Sequence, residues 1–331
     1  TVAEARALPT FYFAVPGELA SPTGGYAYAR ALLEQAEHAG ITLKLINLPA
    51  GYPAPSPNDI AETERPFAAI PATATVLIDG LAFGAMPEAL VAGLPQKLVA
   101  LVHHPLALET GLPRERSDAL KTSETRALAH AEAVIITGRE TSDILRTDYG
   151  VSPSIITLAE PGVTKRNRAT PRSDDMPRLL SVGAVSPRKG YDVLVEALAR
   201  RRRTAWTLDI VGDLDRAPAT SLGLAHQIYR TRQGDRIALH GAVPEAALDR
   251  LFSTSHLFVL PSRFEGYGMV LTEAAAYGLP IIATKTTPAL NPIPEAARIS
   301  VPVGDADALA DAIASVLDDS HRLSAMSDAA W

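Results

Sequence analysis

The densest run of residues able to do chemistry is Pro261-Ser262-Arg263-Phe264-Glu265-Gly266-Tyr267-Gly268-Met269-Val270-Leu271-Thr272-Glu273-Ala274. It follows an apolar run, His256–Leu260, that reads as a buried strand, and it leads into a helical pattern. Free backbone N–H groups at such a helix start, with the helix dipole behind them, attract a phosphate or a developing anion. Gly266 and Gly268 let a ligand approach backbone that a Cβ would shield. Glu265 stands just before the helix and Glu273 about a turn inside it. Two carboxylates so spaced suit hydrogen bonds to hydroxyl groups on either side of a diphosphate. An acidic N-cap and a solvent-facing helix glutamate would explain two glutamates alone. They explain less well the glycines and the strand that accompany them.

A second group lies in the first half. Val99-Ala100-Leu101-Val102-His103-His104-Pro105 places two histidines at the carboxyl end of a strand, where ligand-binding residues of α/β sheets gather. Strand alternation points them to opposite sides, so one of the two enters a site; a lone histidine there is by default structural. Pro22-Thr23-Gly24-Gly25-Tyr26 joins the first strand to its helix but does not match G-x-G-x-x-G, so no dinucleotide fingerprint is indicated. Asp213-Leu214-Asp215 has the look of a metal-binding D-x-D but falls in a loop after a strand, and is read as loop. Arg200–Arg203 closes a helix, where cations favour the dipole, and reads as a solvated cap.

The elements that must position these groups alternate along the whole chain. Thr10–Val15, Ile41–Ile46, Thr75–Ile78, Lys97–Val102, Ala133–Thr137 and Ser154–Leu158 read as buried parallel strands, followed by Arg178–Val182, Thr207–Val211, Arg236–Leu239, Leu257–Leu260 and Pro280–Ala283. Helical patterns separate them, as at Tyr26–Ala39, Ser117–His130, Tyr191–Arg200 and Met269–Tyr277. This is the pattern of α/β doubly wound sheets. A polar stretch without apolar periodicity suggests a linker at 166–177 between an N-terminal domain, 1–165, and a C-terminal domain, 178–331. The expectation is two Rossmann-like domains facing an interdomain cleft.

Composition narrows the function classes. The 331 residues are 47% apolar and 21% charged, which suits globular domains with substantial cores. A net charge of −6 argues against a nucleic-acid partner. The absence of cysteine excludes disulfides, thiolate metal sites and a cysteine nucleophile. No run approaches a membrane span, no membrane-docking helix is evident, and Thr1–Leu8 lacks the character of a signal peptide, so a cytoplasmic protein is expected.

The Glu265–Glu273 segment resembles the E-x7-E region of family 4 glycosyltransferases, retaining enzymes of the GT-B fold. The resemblance runs from Gly24-Gly25 to Val303-Gly304-Asp305 and is clearer in the second half. It implies that Glu265 holds the hexose hydroxyls of a nucleoside-diphosphate sugar and Glu273 the ribose hydroxyls, with the amides of Tyr267, Gly268 and Met269 toward sugar and diphosphate. Ser181-Val182-Gly183-Ala184-Val185-Ser186-Pro187-Arg188-Lys189-Gly190 is similar to the family's phosphate-binding segment. Lys189 then neutralises the departing diphosphate, an electrostatic role. The family's usual arginine after the glycine is Ala184 here, and Arg188 is the candidate to replace it. A cation at a helix N-terminus opposes the dipole, which disfavours reading either as a plain solvated charge.

The resemblance further implies that Gly24 and Gly25 approach the diphosphate, that backbone near Val243 in His240-Gly241-Ala242-Val243-Pro244 meets the base, and that His103, in a V-x-x-x-H register, contacts the reacting sugar. His104, Glu109 and Arg139 are candidates for the acceptor; Thr110 and Gly111 adjoin them. Glu160-Pro161-Gly162-Val163 resembles the family's hinge before the linker. Neither a metal nor a cofactor beyond the nucleotide-sugar co-substrate is implied. The implied reaction is same-face attack by an acceptor hydroxyl of a small molecule or glycan, through an oxocarbenium-like transition state. Two rivals stay open: a GT-B nucleotide-sugar epimerase or hydrolase, and a non-catalytic two-lobed small-molecule binder.

Overall fold

The computed structural model describes residues 9–21, 23–109, 111–171, 176–201 and 205–331. Pro22, Thr110, residues 172–175 of the expected linker, Arg202 and Arg203 of the basic run, and Thr1–Leu8 lie outside the described residues. The chain separates into two compact units, Thr1–Pro161 and Gly162–Trp331. That division falls inside Glu160-Pro161-Gly162-Val163, ahead of the 166–177 stretch. The reason is visible in the hydrogen bonds. Arg168 Nη2 donates to Ser327 Oγ (2.9 Å), Ala169 N–H to Tyr277 O (2.7 Å) and Thr170 N–H to Ser253 O (3.1 Å). The polar stretch is thus tied along most of its described length to the second unit.

The first unit holds a parallel sheet of β1 (Thr10–Pro16), β2 (Thr42–Leu48), β3 (Thr75–Asp79), β4 (Lys97–Val102), β5 (Ala133–Ile136) and β6 (Ile156–Leu158), in the order β2-β1-β3-β4-β5-β6. Alternation sends side chains to two covered faces. Phe13, Val15, Leu77 and Leu101 pack on one; Ala14, Ile78, Ala100 and Val102 pack on the other. The strand expected over Ser154–Leu158 starts later, because Pro153–Ile155 forms a 3₁₀ turn whose preceding Ser152 side chain accepts from the Ser154 N–H (3.4 Å).

The second unit repeats the plan with β7 (Arg178–Val182), β8 (Thr207–Val211), β9 (Ile237–Leu239), β10 (Leu257–Leu260), β11 (Ile281–Thr284) and β12 (Arg298–Val301), ordered β12-β11-β10-β7-β8-β9 and all parallel. Leu179, Val259 and Ile282 enter one core, with Trp206 and Ile313; Leu180, Phe258, Leu260 and Ile281 enter the other, with Phe252 and Tyr277. Strand β12 escapes sequence reading because Arg298-Ile299-Ser300-Val301 offers no continuous apolar run. As an edge strand it pairs β11 alone and buries little. Both sheets are the doubly wound α/β type, and each reverses direction once: between β1 and β3, and between β7 and β10. At such a switch point the helices leave on opposite sides and the carboxyl ends of the central strands open onto a crevice.

Candidate functional site

In the second unit the crevice lies past Val182 of β7 and Leu260 of β10. The two strands are joined there by Ser181, whose buried hydroxyl donates to Val259 O (2.6 Å). From the β7 side, a 3₁₀ turn at Pro187–Lys189 precedes the helix Tyr191–Ala199 and presents Arg188 and Lys189. From the β10 side the loop Pro261–Gly268 presents Glu265. Lys189 Nζ donates to Glu265 Oε1 (2.6 Å) and Arg188 Nη1 to Glu265 Oε2 (2.8 Å). Ser262 Oγ donates to Oε1 as well (2.6 Å), and Arg188 Nη1 also meets Phe264 O (2.9 Å). Glu265 is 7% exposed and Lys189 8%.

Burial alone would raise the Glu265 carboxyl. The Lys189 ammonium and Arg188 guanidinium, with hydrogen bonds from Lys189 and Ser262, outweigh it and hold the carboxyl down to about 2. Two cations thus gather at one carboxylate, and cations fixed in an enclosed site favour an arriving anion. The main chain is shaped around the cluster. Gly183 has φ +152, and a Cβ there would stand 2.6 Å from Lys189 Cε. Behind the cluster Tyr191 donates its hydroxyl to Gly183 O (2.8 Å), and Arg263 donates to both oxygens of Asp192 (2.9 and 2.6 Å).

The helix Met269–Ala276 starts on the same loop, with no side chain capping its first amides. That leaves the donors of its first turn available to an anion. Gly268 has a different role from the one expected of it. Its φ is +97, and a Cβ would meet Thr287 Cγ2 at 2.7 Å, so the chain's own turn demands glycine whether or not a ligand approaches. Gly266 is half-buried, while Tyr267 is buried in the core beside the sheet and its carbonyl accepts from Ala289 N–H (2.9 Å). Glu273, half-buried on this helix, is pushed up by burial and by Glu245, and Arg166 opposes both. Val243 packs against the same core from the loop after Gly241. Asp213-Leu214-Asp215 is a loop after β8, with Asp215 N–H donating to Asp213 Oδ1 (2.8 Å).

In the first unit, Asp79 ends β3 and His103 follows β4, so the register Asp79↔Leu101 sets them side by side at the carboxyl edge. His103 Nε2 is 3.8 Å from Asp79 Oδ2, and this nitrogen is buried without a hydrogen-bond partner. The ring meets Tyr28 edge-on at 5.4 Å, and a Cβ on Gly25 would sit 3.5 Å from its Cδ2. Burial lowers His103 to about 4, with the charge of His104 adding to it. Asp79 is pushed by burial up to about 6, against the Leu81 N–H and His104. Gly24 and Gly25 open the helix Gly24–His38, capped by the Thr23 hydroxyl.

His103 and His104 diverge, as alternation requires. His103 turns to Gly25, Tyr28 and Asp79; His104 turns to Glu109, at 3.5 Å. Arg139 opens the helix Arg139–Asp148 and is mostly exposed, 3.8 Å from Glu160. The structure therefore gathers Arg188, Lys189 and Glu265 into one cluster, sets Gly25 against His103, and sets Arg139 beside Glu160. Sequence reading missed four participants. Ser262 and Asp79 each close or follow a strand end, which was a usable signal. Arg166 sits in a stretch read as linker. Glu124 carried no signal, being mid-helix among polar residues. It is 1% exposed, accepts from Leu106 N–H (2.9 Å) just past the histidines, and is pushed by burial up to about 8 against hydrogen bonds from Leu106 and Tyr149.

Comparison with known proteins gives a consistent picture. The family described as "Glycosyl transferases group 1" matches over residues 163–330. Mannosylfructose-phosphate synthase of Agrobacterium fabrum is 31% identical over 171 residues, 46% of this chain and 37% of that protein. D-inositol 3-phosphate glycosyltransferase of Segniliparus rotundus is 26% identical over 206 residues, 56% of this chain and 46% of that protein. The chain thus spans less than half the length of either relative. Among solved structures, sucrose-phosphate synthase from Thermosynechococcus elongatus has a TM-score of 0.81 at 21% identity, over 97% of this chain and 93% of that one. Anabaena Alr3699/HepE, solved in complex with UDP-glucose, has a TM-score of 0.76 at 18% identity, over 97% and 93%. At these identities the likeness is one of fold, the GT-B arrangement of two parallel six-stranded sheets. Among the described residues, no helix is long and apolar enough to cross a membrane.

Proposed function

This chain belongs to the glycosyl transferases of group 1, and on that premise we propose that it moves a hexose from a nucleoside-diphosphate sugar to an acceptor hydroxyl, with retention and without a metal. The observation that carries the reading is the buried Arg188–Lys189–Glu265 cluster beside an uncapped helix start at a switch point. Its two cations and the helix amides suit a diphosphate. When the diphosphate takes up Lys189 and Arg188, Glu265 is released to accept hydrogen bonds from the hexose hydroxyls. Glu273 takes the ribose hydroxyls and the Val243 backbone the base.

In the transfer step the bond from the anomeric carbon to the diphosphate oxygen breaks. The acceptor oxygen bonds to that carbon on the same face, and its proton passes to the departing diphosphate. Charge therefore accumulates on the leaving group, next to Lys189 and Arg188, which are in place before the reaction starts. No protein nucleophile is invoked. His103, kept neutral by burial and with an unsatisfied Nε2, is assigned to the hydroxyls of the reacting sugar; His104, Glu109 and Arg139 are assigned to the acceptor.

Calorimetry with UDP-, GDP- and ADP-sugars identifies the donor, and transfer is then followed with a panel of hydroxyl acceptors. Inositol 3-phosphate, named in a relative, is the first to try. Lys189→Ala and Glu265→Ala are each expected to lower transfer by about 10²–10³-fold. Full transfer in both variants overturns the reading. Rapid donor hydrolysis or epimerisation without acceptor would favour a non-transferring enzyme instead.

A further inference from the structure

Arg166 is a cation that the donor site, as described so far, does not use. It lies shortly after the division between the units, in the segment tied to the second unit through Ala169 and Thr170. Its guanidinium stands 3.6 Å from Glu245 Oε1 and 3.8 Å from Asp249 Oδ1, and 6.0 Å from the centroid of the Tyr277 ring. That ring is fixed: it stacks on Phe252 at 4.9 Å, and its hydroxyl donates to Asp249. Tyr277 follows Glu273 by one helical turn, so the two side chains share a face. Arg166 therefore lies on the face that carries Glu273.

Two carboxylates, Glu245 and Asp249, stand within 4 Å of this guanidinium, and a third, Glu273, feels its charge. Glu245 and Asp249 have exposed or half-exposed side chains and can hydrate. Glu273 is more enclosed and accepts no hydrogen bond among the described residues, so a nearby cation matters more to it. Burial and Glu245 both push its carboxyl up, and the Arg166 charge is what opposes them. A carboxylate that keeps its charge accepts hydrogen bonds from hydroxyls about twice as strongly as a neutral acid does.

We infer that Arg166 is the positioning residue of Glu273, holding that carboxylate ready for the vicinal hydroxyls of the donor's ribose. The inference rests on the assignment of Glu273 to the ribose in the proposed function. The bland alternative is that Arg166 only staples its segment onto the helix. The two differ in one readout: a staple has no reason to sense whether the nucleotide carries a 2′-hydroxyl.

The test is calorimetric binding of whichever of UDP, GDP and ADP the full chain accepts, against its 2′-deoxy form. The wild type, Glu273→Gln, Arg166→Ala and Arg166→Lys are compared, with thermal unfolding measured for each. Glu273→Gln is expected to lower the ribo-to-deoxy preference about tenfold, and Arg166→Ala about fivefold, in line with a charged hydrogen bond weakened to a neutral one. Arg166→Lys keeps the charge and is expected to stay within about twofold of wild type. If Glu273→Gln removes the preference while Arg166→Ala leaves it intact, the inference is overturned and the ribose assignment stands. If Glu273→Gln changes nothing, the ribose assignment fails and the inference falls with it. Should Arg166→Ala not fold, Arg166→Lys and Arg166→Gln decide: equal preference in both also overturns the inference.

Discussion

The two units share a sheet plan and treat charge in opposite ways at their switch points. In the second, Glu265 is buried with two cations and a hydroxyl within hydrogen-bond reach, so it keeps its charge, held down to about 2. In the first, Asp79 and His103 stand 3.8 Å apart, each too buried to ionise readily, the acid raised to about 6 and the histidine lowered to about 4. Glu124, beneath the same loop, is raised further, to about 8. The lesson is that burial sets the sign of a shift only where no partner answers it. Three heavy-atom contacts under 3 Å, two of them from cations, reverse the effect for Glu265, while one backbone N–H at 2.9 Å and a histidine at 3.8 Å fail to do so for Asp79. On the proposed function, the first arrangement suits a diphosphate and the second a surface that meets neutral hydroxyls.

This contrast can be broken experimentally, most forcibly at Glu265. Replacing it by Ala removes the carboxylate that buried Lys189 and half-buried Arg188 share, and is expected to lower unfolding stability at pH 7 by about 3–5 kcal/mol. In the wild type this stabilisation is present above the ordinary glutamate range and is lost as pH falls toward about 2, because the folded carboxyl stays ionised after the unfolded one has protonated. Denaturant titrations of both proteins between pH 7 and 3 read it. A loss below about 1 kcal/mol at pH 7 would mean that the cations relax into water and the contrast is false.

Glu124→Gln is expected to act in the opposite sense. Between the ordinary carboxyl range and about 8 the folded chain keeps a proton that the unfolded chain has released, so stability falls as pH rises through that window. The amide keeps an acceptor for Leu106 N–H and cannot ionise. The variant should therefore exceed the wild type at pH 9 by on the order of 2–4 kcal/mol, and match it near pH 4. Equal midpoints at both values would show that the carboxyl ionises at little cost.

The smallest effect belongs to the rim of the charged site. Asp192 pairs with Arg263 through two hydrogen bonds, with both side chains partly in water. Asp192→Asn is expected to cost no more than about 1 kcal/mol and to lose even that at high salt. A cost comparable to that of Glu265→Ala would extend the charged core out to the rim.

Much of the fold was legible because the central parallel strands, buried on both faces, write themselves as short apolar runs, and eleven of the twelve strands among the described residues stand out in the sequence. The exception, β12, is an edge strand with Arg298 and Ser300 in it. The candidacy of Arg188 and Lys189 was legible too, since glycines and cations after a strand have few other uses. Glu124 was not, because its significance comes from burial, and a carboxylate in the sequence shows no burial. Gly268 was legible as a required glycine but for a different reason, since Thr287, which it must clear, is distant in sequence.

By itself the sequence determined the doubly wound class and the candidacy of Lys189, Glu265 and Glu273. Each of these follows from local pattern, which the chain carries before it folds. Only the tertiary structure decided that Arg188 joins Lys189 on Glu265, that His103 rather than His104 turns to Gly25, and that Arg166 stands on the face of Glu273. Those outcomes depend on distances between residues remote along the chain, and strand register and helix packing set such distances.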